Sequence, residues 1–166
     1  TASYNTAVGY QAGYANTSGG GNVAVGGFAL DANTTASSNT AVGYDSLTAN
    51  STGAENTAIG RAALASNTTA SNSTAVGYEA GYANTTGTTL AAFGYWALKS
   101  NTTGRNTGIG GYALATNTTG TENNAFGDSA LYLNTTGNYN TAVGYRTLFS
   151  NTTASYNTAV GYRALY

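Results

Sequence analysis

The sequence predicts an all-β chain, a parallel β-solenoid built as a roll with two short strands in each of ten 17-residue coils. Three observations carry that reading. A glycine recurs at Gly9, Gly26, Gly43, Gly60, Gly77, Gly94, Gly110, Gly127, Gly144 and Gly161, with one step of 16 after Gly94 and steps of 17 elsewhere. A helical-hairpin repeat needs a period of roughly 34 residues or more, about twice this one. The 23 Gly and the abundance of β-branched Thr and Val also disfavour helix. The array fills residues 1–166 as a single domain.

The consensus coil reads N-T-A-V-G-Y-x-A-L-x-x-N-T-T-G-x-x. N-T-A-V is the first strand. The residue before each corner glycine is apolar: Val8, Val25, Val42, Ile59, Val76, Phe93, Ile109, Phe126, Val143, Val160. Ala precedes it in nine of ten coils, Gly108 being the exception. Y-x-A-L-x-x is the expected second strand, with Leu four residues after the glycine in eight coils and Gly13 or Gly81 in the other two. N-T-T-G closes the coil, and the short step is a one-residue deletion just after Gly104. Coils stacked ~4.8 Å apart make a rod roughly 48 Å long.

Neighbouring strand residues point to opposite faces, so Val8 and Ala7, or Leu30 and Ala29, would line different sides. The Val/Ile/Phe and Leu files are expected to fill the roll. The Ala files would then face outward, either onto another copy of the chain or simply into solvent. On that assignment Val76→Asp buries an unpaired charge and breaks the rod. The chain starts and stops inside the repeat, with no initiator Met, no signal peptide and no capping segment, which suggests a piece of a longer processed fibre or a unit stacking end to end on bare edge strands.

Composition removes whole classes of function. Only 7% of residues are charged, and five Lys/Arg against six Asp/Glu leave a net charge of −1, without the basic footprint of a nucleic-acid binder. There is no Cys or His, hence no thiol nucleophile, imidazole base, disulfide or zinc site. No apolar run reaches the ~20 residues of a membrane span. The acids Asp31, Asp45, Glu55, Glu79, Glu122 and Asp128 are scattered, so neither a catalytic pair nor a calcium column forms. Gly19-Gly20-Gly21 lacks the Lys and helix of a phosphate loop. The expectation is a non-enzymatic chain with no cofactor and no metal.

Three polar or aromatic columns are candidate sites. Asn16, Asn33, Asn50, Asn67, Asn84, Asn101, Asn117, Asn134 and Asn151 recur at the turn. They read as an external amide ladder or, since each precedes x-Ser/Thr, as glycosylation acceptors, with Asn72 a further acceptor. The adjoining Thr columns (Thr17, Thr34, Thr68, Thr85; Thr35, Thr52, Thr69, Thr86) raise ice binding, against the simpler reading that their hydroxyls satisfy turn amides. Tyr10, Tyr44, Tyr78, Tyr95, Tyr145 and Tyr162 follow the corner glycine, and Tyr14, Tyr82, Tyr132 and Tyr166 end the second arm. The column after the first Tyr set holds Gln11, Phe28, Asp45, Ala62, Glu79, Trp96, Tyr112, Ser129, Arg146 and Arg163, a mixture that marks a solvent face. Tyr95, Trp96 and Tyr112 are its candidate receptor or glycan contacts.

The stretch Asn5-Thr6-Ala7-Val8-Gly9-Tyr10-Gln11-Ala12, with close copies at 39–46, 140–147 and 157–164, resembles the head repeat of trimeric autotransporter adhesins, the YadA-like head family, and related repeats of bacteriophage tail fibres. The resemblance extends over essentially the whole chain. It implies a homotrimer of left-handed parallel β-rolls, extracellular, on a cell or virion surface, serving attachment. The familiar adhesin repeat is shorter and lacks the N-T-T-G insertion, so the 17-residue form looks closer to tail-fibre or other surface-fibre versions. The function expected is thus a structural and adhesive fibre segment. A self-assembling extracellular filament, glycosylated or not, and an ice-binding protein stand as alternatives.

Overall fold

The computed structural model describes residues 2–166. Ten three-residue strands follow one another: β1 Thr6–Val8, β2 Val23–Val25, β3 Thr40–Val42, β4 Thr57–Ile59, β5 Thr74–Val76, β6 Ala91–Phe93, β7 Thr107–Ile109, β8 Asn124–Phe126, β9 Thr141–Val143 and β10 Thr158–Val160. They form one parallel sheet in chain order. Each coil lies on the last in register, so that Ala41 pairs with Ala58 and Val42 with Ile59. The chain is an all-β solenoid, and the described residues contain no helix.

The expected second strand is a run of turns. In the second coil Ala29 N donates to Gly26 O (3.4 Å), Asp31 N to Phe28 O (3.4 Å) and Asn33 N to Leu30 O (3.2 Å). The third residues of the first two turns, Phe28 and Leu30, have φ of 58° and 51°, the positive value that a type II turn requires there. These turns still ladder, with Leu30 N donating to Ser46 O and Ala32 N to Thr48 O, both at 3.0 Å.

That geometry reverses the expected faces. In the strands the central Ala is buried, with Ala41, Ala58, Ala75 and Ala92 fully covered, while Val, Ile and Phe lie outward and half-exposed. In the turn arm alternation fails because of the positive φ, and Ala29 and Leu30 are both buried. The core is therefore two Ala files and one Leu file. The two arms lie too close for Val between them. A methyl built at Gly108, in the strand-centre file, would lie 3.1 Å from Leu98 Cγ of the opposite arm.

A Leu held at φ near +50° costs roughly 1–2 kcal/mol in backbone strain, against about 1.5–3 kcal/mol from burying its side chain. Burial wins in seven coils, and in the last Leu165 adopts the same φ although it is exposed. In the fifth, Gly81 leaves room that Leu90 fills from the column where eight coils hold Asn and one holds Ser73. A methyl added to Gly81 would lie 2.7 Å from Leu90 Cδ2. In the first coil nothing fills the space, and Gly13 borders a cavity of about 40 Å³.

Candidate functional site

The turn Asn column is an internal structure. Asn33, Asn50, Asn67, Asn84, Asn101, Asn117 and Asn134 are buried, and only Asn16 and Asn151, near the two ends, are partly open. Asn50 Nδ2 donates to Asn33 Oδ1 (3.1 Å) in the coil below and to Gly53 O (2.9 Å) in its own turn. The same pair of bonds recurs at Asn67 and Asn134. A glycan on this nitrogen would replace one of its two hydrogens, removing one of these bonds, and its bulk would open the coil, so the ladder and glycosylation compete for the same atom. Exposed Asn72 lies outside the ladder.

A second Asn ladder, at strand entry, was not singled out from the sequence. Asn39 Oδ1 accepts from Asn56 N (3.0 Å), and Asn56 Nδ2 donates to Ala70 O (2.8 Å). Its signal was the recurrence of Asn at the head of the strand in eight of ten coils, beside the turn column, with Ser73 and Leu90 in the other two. The two ladders form the polar half of the core.

The turn ladder breaks where the residue is missing. Gly104 has φ +91°, a positive value not shared by Gly19, Gly53, Gly87, Gly120 and Gly137, the other glycines of the same column. Its carbonyl does not meet Asn101 Nδ2, which is buried without a partner, as is Asn84 Oδ1 facing it.

The Thr column next to the turn Asn does not present free hydroxyls, whereas Thr35, Thr52, Thr69 and Thr86 of the second column are exposed. Thr17, Thr34, Thr68, Thr102, Thr118 and Thr135 each donate to the carbonyl of the equivalent residue one coil on, at 3.0–3.2 Å. They satisfy turn carbonyls rather than amides. The flat face lies elsewhere. Residues two apart on a strand share a side, so the sheet turns outward a Thr-rich file (Thr40, Thr57, Thr74) beside the Val/Ile/Phe file. Ten strands at ~4.8 Å and two files give that strip an area of about 400 Å².

The variable column lies on the opposite arm. Positive φ at each of its residues, such as Trp96 (58°) and Tyr112 (59°), lets adjacent side chains gather on one side. Tyr95 stacks on Tyr78 (5.2 Å, 10°) and on Trp96 (5.1 Å, 25°). Tyr112 meets both Tyr95 (5.3 Å) and Trp96 (5.7 Å). The three candidates are thus one cluster. It continues through Tyr132, Phe149 and Tyr166 with centroid steps of 6.2, 5.2 and 5.3 Å, an aromatic staircase crossing three columns. The sequence signal for its far half was Tyr132, Phe149 and Tyr166 at 17-residue spacing.

Trp96 is already engaged. Lys99 Nζ lies 3.7 Å above its ring and makes a 2.7 Å ion pair with Glu79. Burial pushes the Glu79 carboxyl up, but hydrogen bonds from Lys99 and Tyr78, with the charges of Lys99 and Arg61, outweigh it and leave the pKa lowered. No group of three acids is placed to hold a metal ion among the described residues. Compared with known proteins, the chain matches no family model, no curated protein and no solved structure.

Proposed function

We propose that the chain is a structural and adhesive segment of an extracellular fibre, on a cell or virion surface, assembled from copies of itself. The observation that carries this is the apolar file along the whole outward face of the sheet, from Val8 to Val160, half-exposed in the single chain. The strip it forms with the Thr file is near 400 Å², about half of it apolar, and contiguous exposed apolar surface marks interaction sites. The strip falls short of the ~800 Å² per partner of a standard interface, so flanking turn columns must join it. Three rolls with this strip turned inward, each left-handed as the adhesin and tail-fibre resemblance implies, would cover the file and leave the aromatic staircase facing solvent. The mechanism is mechanical: laddered coils make a stiff rod, and the outer columns present a receptor- or glycan-binding surface.

Light scattering with sedimentation tests this directly. A mass near three times the 16.6 kDa of the chain supports the trimer, and open-ended growth with concentration supports the filament. A monomer at all concentrations overturns the assembly reading.

One observation favours a second reading. The Thr file beside the Val file on a flat sheet is an ordered array of hydroxyls and methyls of the kind that suits ice. Phe93, Phe126 and Asn124 interrupt its plane, which ranks ice binding below assembly. Both readings need the same face, so thermal hysteresis from a monomer would decide for ice.

A further inference from the structure

The inference rests on the surface-display reading above and gives it a site and a ligand class. Along the variable column, side chains cover the aromatic ring three residues on: Arg146 Cζ lies 5.1 Å from the Phe149 centroid and Arg163 Cζ 4.0 Å from that of Tyr166. In the coil before these the covering position holds Ser129, too short to reach Tyr132. The result is an open notch of about 260 Å³, bounded by Tyr112, Ser129, Tyr132, Arg146 and Phe149.

The notch has a definite chemistry. Tyr132 and Phe149 are nearly parallel (13°), and Tyr112 stands edge-on to Tyr132 (70°), so the site is walled by aromatic rings. Tyr112 and Arg146 are two coils apart, which sets their backbones ~9.6 Å from each other, room for one ring between them. The volume lies below the ~300 Å³ at which drug-sized pockets begin. Arg146 is the charged residue of the lining, and among the described residues no carboxylate pairs with it. Its Nε is buried without a partner. The Ser129 hydroxyl donates to Asp128 Oδ1 (2.8 Å), fixing the floor. Aromatic walls favour a ligand with a flat C–H face, and a guanidinium that lies against Tyr145 and Phe149 with no carboxylate partner among the described residues favours a carboxylate, which it can bind with two parallel N–H donors.

We propose that this notch binds an acidic sugar, one carboxylated pyranose residue projecting from a polysaccharide. The pyranose ring stacks on the aromatic wall while its carboxylate meets Arg146.

The test is a titration followed by NMR with glucuronate, glucose and acetate as probes. A monosaccharide in so open a site should bind with a Kd on the order of 1 mM. Glucuronate should bind, glucose and acetate at least tenfold more weakly. Ser129→Tyr restores the aromatic side chain that Tyr112 carries in the same column at the same φ, and should fill the notch. It should abolish binding with the melting temperature and solution mass unchanged, and Arg146→Gln should weaken glucuronate to the level of glucose. Glucuronate binding that survives Ser129→Tyr, equal binding of glucose, or no binding at about 20 mM glucuronate overturns the proposal. The solution mass of the same sample reports on fibre assembly separately, so loss of the site leaves that reading standing.

Discussion

The exchange of Leu for Gly at position 81, balanced by Leu90, should behave as a coupled pair. Leu90 is fully buried, and Leu90→Asn should cost at least as much as truncating a buried leucine, about 2–5 kcal/mol. For a chain of this length each kcal/mol lowers the melting temperature by roughly 2–4 °C, so a fall near 10 °C is expected. Gly81→Leu alone places a side chain where Leu90 Cδ2 and Leu64 Cδ2 already lie, 2.7 and 3.0 Å from the new Cβ, and overpacking of that kind costs about 1–3 kcal/mol. Gly81→Leu with Leu90→Asn recreates the pairing of the third coil, Leu47 with Asn56. It should therefore be more stable than the sum of the two single changes by about 2 kcal/mol, within the range for contacting residues. Urea unfolding of the four proteins measures this. Additivity to within about 0.5 kcal/mol would falsify the account of Leu90 as the filler of the Gly81 gap.

Other perturbations separate the inner files from the outer ones. Ala75→Asp should abolish the folded rod, because that side chain is fully covered, whereas Val76→Asp should leave the coil intact and dissociate the assembly. Circular dichroism and solution mass read the two effects, and loss of fold in Val76→Asp would return the Val file to the core. Gly43→Ala puts a methyl 2.5 Å from Gly60 O at φ 139° and should cost about 3 kcal/mol or more, read as a lower melting temperature. Glu79, its pKa lowered in the folded chain, contributes stability that is present above its ordinary value of 4.5 and lost as pH falls through the lowered one. A small decrease in melting temperature in that acid range should disappear in Glu79→Gln, and an unchanged profile in the variant would assign the decrease to another carboxyl.

The solenoid, its coil count, its register and the loop deletion were all legible in the sequence, because a strict period forces equivalent residues to stack. The facing of the columns was not. Strand alternation is a sound rule only where φ stays negative, and Leu30, Leu47 and their equivalents have φ near +50° although Leu is a residue that avoids that region. With the second arm built of turns, the roll is too thin for Val inside and the small Ala takes its place. The Asn column was legible as a ladder, but its location was not, since an amide can be interior only if every polar atom is met. Away from the deletion that condition is fulfilled by the next Asn of the same column and the turn carbonyls, partners visible only once the coil is closed. Of the aromatic candidates, Tyr95 and Trp96 adjoin in the sequence and Tyr112 joins them only in the folded coil, while the accessible notch was missed because it arises from what Ser129 lacks.

The division between inner and outer columns explains how a chain this repetitive can still carry a local site. Inner positions are over-determined: Gly at the corner meets the next coil's carbonyl, Ala meets Leu across the roll, and Asn bonds to Asn above and below. Outer positions are held by backbone ladders that ignore side-chain identity, so Glu79, Trp96, Tyr112, Ser129 and Arg146 all adopt φ between 50° and 59° in one file. Any of these side chains can change without disturbing the coil beneath it. If the proposed notch binds, recognition on such a rod is built by the sequence of sizes along a file. A Tyr, a Ser and an Arg in consecutive coils make a walled gap with a cation at one end, where three large residues would have made a closed ladder.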